Sequence, residues 1–413
     1  MESRDQYDAV VVGAGPSGSA VARWIAEDGS SVLLVEEHEQ VGHPNHCAGL
    51  ITPRTLRAAG LDTEDGLVEN RFQGAIISSA SGSEYSIGGD KVHALAIDRP
   101  KLDIKLADEA QEAGARLLLH TKASHFERRP GGLLVHLDNE HRRDVVETRL
   151  LIGADGARSE VARWAQLPGP DEVIRALNVR VRLPASAPDF VEVFVGERLA
   201  PGWFAWVIPL GNGQARLGIG TDTGSPGRYF NEWIAAFPHR FRNMEILEMS
   251  GGSIPLGLPK RAYSDNVMLV GDAACQVKPT SGGGLYTGLR GASACAHVAA
   301  NALEDDDLSA VSLRRYHDRW LGQLGEELEL GMLLRRVFTR LEDEDFERVL
   351  RWLGNSTIQH FIREHGDIDF PSRLFKESAS FFPGLGALSA LGIRMARRDE
   401  WIQHALAVLR ASG

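Results

Sequence analysis

Cysteine is scarce in this 413-residue chain, with Cys47, Cys275 and Cys295 its whole supply. Three thiols so far apart make neither a disulfide framework nor a CxxC metal site, and they suit a reducing compartment. Positive charge is also short, at 45 lysines and arginines against 56 carboxylates for a formal charge of -11. The basic residues are scattered and form no stripe along a phosphate backbone, which excludes nucleic acid as a partner. Long apolar runs are missing too. The charged start MESRDQ leads into a short strand broken by glycines, which is not the pattern of a signal peptide. Phe381 to Ala396 is interrupted by a proline, glycines and an arginine and falls short of the roughly 20 residues that cross a bilayer. The expectation is a cytoplasmic protein. That stretch, with the helical pattern from Gly325, leaves room for peripheral contact with a membrane surface.

What is present is an ordinary globular composition, 43% hydrophobic and 24% charged, in a chain longer than one core usually supports. Two domains, or one with a large insertion, are expected. Tyr7 to Val12 reads as a buried strand, GAGPSG as a turn, AVARWIAEDG as a helix, and Ser31 to Val35 as a second strand ending on Glu36 and Glu37. Gly13, Gly15 and Gly18, with Pro16 and Ser17 between them, sit where a βαβ unit needs a tight turn, bare backbone beside a pyrophosphate, and close helix packing. Glu36 lies 18 positions beyond Gly18, near the offset of an acid that holds a ribose hydroxyl. A dinucleotide is implied, and FAD and NAD are both open at this point. Two later strands end similarly, in LLIGADGARS at Asp155 and in VMLVGDAA at Gly271 and Asp272.

Together these segments resemble the large FAD-binding family of aromatic hydroxylases, halogenases and geranylgeranyl reductases. The resemblance implies FAD, with Asp272 at its ribityl or ribose part, Asp155 in the second motif, and Arg99 of AIDRPKLD as a further contact. HCAGL, with Cys47, Ala48 and Gly49, and KPTSGGGL, with Pro279, Gly282, Gly283, Gly284 and Leu285, are similar to segments of the geranylgeranyl reductase group. The three glycines free backbone N–H groups at the start of a long helix, where partial positive charge favours an anionic reduced flavin. GWFAWVIPLGNGQARLGIG is similar to the aromatic hairpin of those reductases, and Gly-Asn-Gly is itself a hairpin signal. Trp203, Phe204 and Trp206 are therefore the candidate substrate contacts.

The implied fold is α/β. A Rossmann-type FAD-binding domain would comprise 1–60, 92–165 and 262–325, an inserted antiparallel β-sheet substrate domain 61–91 and 166–261, and a helical region 326–413. The implied activity is saturation of C=C bonds in a polyprenyl chain on a lipid, a quinone or a pigment precursor. Such an alkene needs a hydride on one carbon and a proton on the other. Cys47 is the candidate catalytic residue, a neutral thiol in apolar surroundings beside flavin or alkene; otherwise it is a small packed side chain. The spacing of His43, His46 and Cys47 fits no standard zinc site, so no metal is expected. Cys275 stands where the reductases usually have glycine; it is either a small packed residue or, being near the flavin, a redox partner of Cys47. A second GxGxxG is missing, which leaves NADPH or a ferredoxin as electron donor. Two alternatives share the motifs. One is an oxygen-using monooxygenase or halogenase, the latter resembled by FAWVIP and requiring a lysine, for which Lys91 is in the right general region. The other is a flavin-bearing carrier docked on a membrane.

Overall fold

The computed structural model describes residues 5–61, 66–139, 143–184, 186–374 and 377, so the Phe381 to Ala396 stretch lies outside the described residues. β1 (Gln6–Val12), α1 (Pro16–Glu27) and β2 (Val32–Val35) form the expected βαβ unit, with Val12 opposite Val35 in parallel pairing. Ala9 to Val12 and Val32 to Val35 are buried throughout, so these strands are continuously apolar. A short β3 (Leu50–Ile51) and α2 (Pro53–Ala58) follow. The chain then crosses β4 (Val68–Phe72), β5 (Gly74–Ser79) and β6 (Glu84–Gly88) and returns on β7 (Ala94–Ile97). α3 (Arg99–Glu112) starts where the Asp98 carboxylate accepts from the Lys101 N–H, with proline in its first turn, and packs on α1. β8 (Arg116–Leu118) ends that unit. β9 (Lys122–Arg129) and β10 (Gly132–Asp138) form a hairpin beside β11 (Arg143–Gly153), and α4 (Glu160–Trp164) follows.

The chain next builds β12 (Glu172–Arg182), β13 (Phe190–Val195), β14 (Phe204–Gly211), β15 (Gln214–Thr221), α5 (Pro226–Ala236) and β16 (Glu245–Leu256). A seven-stranded sheet runs β16–β12–β15–β14–β13–β5–β6. Its predicted hairpin turns at Asn212 and Gly213, both at positive φ (49° and 70°), as a two-residue primed turn requires. Strand alternation gives the sheet two different faces. Ala205, Val207, Leu217 and Ile219 meet α5 in one cluster; Trp206, Ile208, Ala176 and Ile174 belong to another, with Val277, Met332 and Ala48 from outside the sheet.

β17 (Tyr263–Ser264) and β18 (Val267–Leu269) complete the first sheet, ordered β17–β18–β11–β1–β2–β8, with β10 and β9 branching from β11. α6 (Leu285–Glu304) crosses α1 closely, because a Cβ on Gly288 would come 2.6 Å from Ser17 Oγ. α7 (Ala310–Phe338) packs Leu313, Tyr316 and Trp320 into the first core, while Met332 reaches the second sheet. The helical stripe from Gly325 is thus interior in this part. α8 (Asp343–Leu353) and α9 (Ser356–His365) lie against β5 and β6. Among the described residues no helix is long and apolar enough to cross a membrane.

Candidate active site

The glycines after β1 divide into two that are sealed and one that is open. A Cβ on Gly13, which sits at φ 100°, would come 2.5 Å from the Ala154 carbonyl oxygen, and one on Gly18 would overlap the Gly13 carbonyl. Gly15 has nothing within 4 Å of its Cβ position, and it caps α1 with no side chain bonded to the helix end. That is bare backbone at a positive helix terminus, the surface a pyrophosphate needs. Pro16 occupies the first turn, and Ser17 is wedged between Gly271 and Gly288. Glu36, at the end of β2, accepts from the Ala14 N–H at 2.9 Å, which holds the carboxylate beside the turn. Glu37 is exposed and pairs with Lys122 at 3.2 Å, so the structure brings only the first of the two adjacent acids into the turn.

Arg99, Asp103 and Asp272 form the buried charges of the site. Arg99 donates from Nε and Nη2 to the two oxygens of Asp103, at 3.2 and 3.0 Å. Burial lowers the Arg99 pKa, but Asp103 and the Cys47 sulfur outweigh it and hold the guanidinium above its usual range. Among the described residues no hydrogen bond reaches the Asp272 carboxylate, and its pKa is pushed up to about 6 by burial, against the pull of Arg99. An acid raised in this way accepts readily from a ligand hydroxyl. Gly284 faces it, since a Cβ there would come 2.9 Å from Asp272 Oδ1. Gly282 and Gly283 precede Gly284, the N-cap of α6, whose first residue is Leu285. Pro279 packs on α7 at Gly331. Asp155 is engaged locally: its carboxylate accepts from Ser159 Oγ and from the N–H groups of Glu160 and Val161, between 2.6 and 3.1 Å, and so caps α4. The open Gly15 backbone, Glu36 and the unbonded Asp272 carboxylate fit an FAD lying from α1 to the start of α6.

Cys47 does not stand in apolar surroundings. Its sulfur accepts from the Gly49 N–H at 3.3 Å and from the Arg99 guanidinium, while its own N–H donates to Asn45 Oδ1 at 3.1 Å. The second sheet clamps this loop through residues that local pattern did not mark. Ser250 Oγ donates to the Asn45 carbonyl at 2.6 Å and Asn178 Nδ2 to the His46 carbonyl at 2.7 Å. Arg216 donates to the carbonyls of Ala48 and Ile97, at 3.1 and 2.9 Å, and pairs with Glu69. Gly49 sits at φ 68°, and a Cβ on it would come 2.5 Å from Arg216 Nη1. A lone arginine on the inner face of ARLGIG was the one available signal. Burial lowers the pKa of His46.

The aromatic wall rests on glycine. Trp203 covers Gly220, Trp206 covers Gly218, and the Trp203 ring also lies 3.2 Å from where a Gly282 Cβ would be. Trp203 and Phe204 stack with centroids 5.1 Å apart. Buried Arg335 of α7 sits 5.1 Å over Trp203, donating to Glu172 at 2.7 Å and to the Gly202 carbonyl at 2.6 Å. Cys275 is buried at φ 53°, the left-handed region that suits the glycine usual there, and burial pushes its pKa up to about 12. Lys91 is exposed and 3.8 Å from Asp90. The lysine beside the glycine turn is instead Lys278, 2.7 Å from Asp369 Oδ1 and with its Cε near Gly283. Asp369 also accepts from Thr52 Oγ1 at 2.6 Å and Arg54 at 3.1 Å. Next to this network lies a cleft of about 630 Å³, walled by Arg54, Arg57, Lys91 and Arg373 and by the carboxylates of Glu364, Asp367 and Glu377, with Arg54 and Arg373 both paired to Asp367.

Residues 6–319 match a family described as an FAD binding domain. The digeranylgeranylglycerophospholipid reductase 2 of Methanopyrus kandleri is 31% identical over 87% of this chain and 93% of its own. A digeranylgeranylglycerophospholipid reductase of Methanosarcina acetivorans is 30% identical over 83% and 88%. Among solved structures, a geranylgeranyl bacteriochlorophyll reductase-like protein from Thermoplasma acidophilum superposes with a TM-score of 0.83, covering 92% of this chain and 98% of that one. At 24% identity it speaks to the fold. This chain belongs to the geranylgeranyl reductase family of FAD-dependent oxidoreductases.

Proposed function

We propose that this protein saturates the double bonds of a polyprenyl chain carried on a phosphate-bearing lipid. The observation that carries the reading is the meeting of three surfaces: the aromatic wall of Trp203 and Phe204, the glycine turn before α6, and the clamped Cys47 loop. FAD, which the Gly15 backbone, Glu36 and Asp272 would hold, would supply hydride chemistry to one alkene carbon when bound in its reduced form. The rest falls to the chain. Cys47 Sγ gives the proton to the other carbon, and Arg99 holds the sulfur in place while it does so. The partly buried ring of Phe204, backed by Trp203, stabilises positive charge at the substituted carbon and keeps water from it. The cleft follows directly on the loop and β3, and Arg57 and Lys91, the two of its cations outside the Asp367 pairs, take the phosphate of the headgroup. A nicotinamide or a ferredoxin brings the electrons. Because the substrate is a lipid, the protein works at a membrane surface. The test is anaerobic mixing of reduced enzyme with a geranylgeranyl lipid. Flavin reoxidation with a mass gain of paired hydrogens is expected, and its absence rejects the reading; oxygen consumption dependent on halide or phenol would favour a monooxygenase or halogenase instead.

A further inference from the structure

One row of the second sheet, on the face toward the Cys47 loop, has incomplete hydrogen bonding. Trp206, Gly218 and Asn178 lie opposite one another across β14, β15 and β12, so all three positions share a face. The indole lies over Gly218, with Cε2 and Cζ2 on the space a side chain would fill, and Nε1 is bonded to that same Cε2. Trp206 is 8% exposed and Asn178 9%, yet among the described residues Trp206 Nε1 and Asn178 Oδ1 have no hydrogen-bond partner. The Asn178 amide cannot turn over to solve this. Its Nδ2 donates to the His46 carbonyl, a group that only accepts, and Oδ1 is therefore the end left over.

A donor and an acceptor buried without partners in one row are costly and rare in native proteins. A single oxygen bearing a hydrogen serves both, accepting from the indole and donating to the amide oxygen. We propose that Trp206 Nε1 and Asn178 Oδ1 form a polar subsite for one O–H oxygen in the floor of the substrate cavity, beside the Ser250 and Arg216 side chains that grip the Cys47 loop. The oxygen is that of an ordered water or of a hydroxyl on the substrate. The inference rests on the functional reading only in taking this floor as the substrate wall.

A crystal structure of the FAD-loaded enzyme at about 1.5 Å tests the site itself, with an oxygen expected within hydrogen-bonding distance of both atoms. No such oxygen, in the presence or absence of substrate, overturns the proposal. Trp206→Phe keeps a ring over Gly218 and removes only the donor, and geranylgeraniol and its methyl ether then separate the two sources. With water as occupant, the variant reduces both substrates more slowly by about tenfold, the worth of one buried hydrogen bond. With a substrate hydroxyl as occupant, the wild type prefers the alcohol by about tenfold and the variant loses that preference. Unaltered rates on both substrates also overturn the proposal. If the wild type reduces neither these substrates nor a geranylgeranyl phospholipid although the oxygen is present, the functional reading fails and the subsite stands.

Discussion

Asp272 is the residue at which burial and function pull most plainly in opposite directions. Its pKa is raised by burial to about 6, above the ordinary carboxyl value, so between about pH 4 and pH 6 the unfolded chain has released a proton that the folded apoprotein still holds. Stability of the apoprotein therefore falls as pH rises through that window, by at most about 3 kcal/mol, and levels off above it. Asp272→Asn should flatten the pH dependence of urea unfolding and lower FAD occupancy; a variant that keeps the wild-type slope would contradict this account of the site. Cys47 is read differently. Cys47→Ala should cut turnover about a hundredfold, the scale of a positioned acid, while FAD content stays at the wild-type level. Undiminished turnover would make the thiol a packing group.

The β14–β15 hairpin shows what pattern could and could not reveal. Its strands and turn were legible because apolar runs flank Gly-Asn-Gly, a local signal, and its aromatic face through the family resemblance. What the glycines of β15 do was not legible, since Gly218 and Gly220 matter only through the indoles laid over them from the next strand. The same holds for Arg216 and Asn178, which grip carbonyls more than 100 positions away. The nucleotide turn was readable for the opposite reason, because its strand, glycines, helix and acid follow one another between Gln6 and Glu36, although the turn packs on Ala154, Gly271 and Gly288. Gly220→Ala would drive a Cβ into the Trp203 ring, and an overpacking loss of about 1–3 kcal/mol is expected in denaturant unfolding. A fully stable variant would mean that Trp203 is not fixed there.

At the scale of the molecule, the buried Asp369 ties its own segment to two distant ones, taking bonds from Lys278 before α6 and from Thr52 and Arg54 at the start of α2. The chain after α9 is thereby tied to the glycine turn that the site needs. Asp369→Ala leaves Lys278 buried without its carboxylate, and a loss of about 3–5 kcal/mol is expected by denaturation, much of it recovered when Lys278→Met is added. The neighbouring cleft makes its own prediction: Arg57→Ala with Lys91→Ala should raise KM for geranylgeranyl phosphate more than for the free alcohol. The account as a whole requires electrons to pass from reduced FAD to an unactivated alkene. Stopped-flow absorbance of the reduced enzyme, mixed without oxygen with a geranylgeranyl lipid, measures that directly, followed by mass spectrometry of the product. The account predicts return of the oxidised flavin spectrum together with a lipid heavier by paired hydrogens; a spectrum that stays reduced, with the lipid mass unaltered, would contradict it.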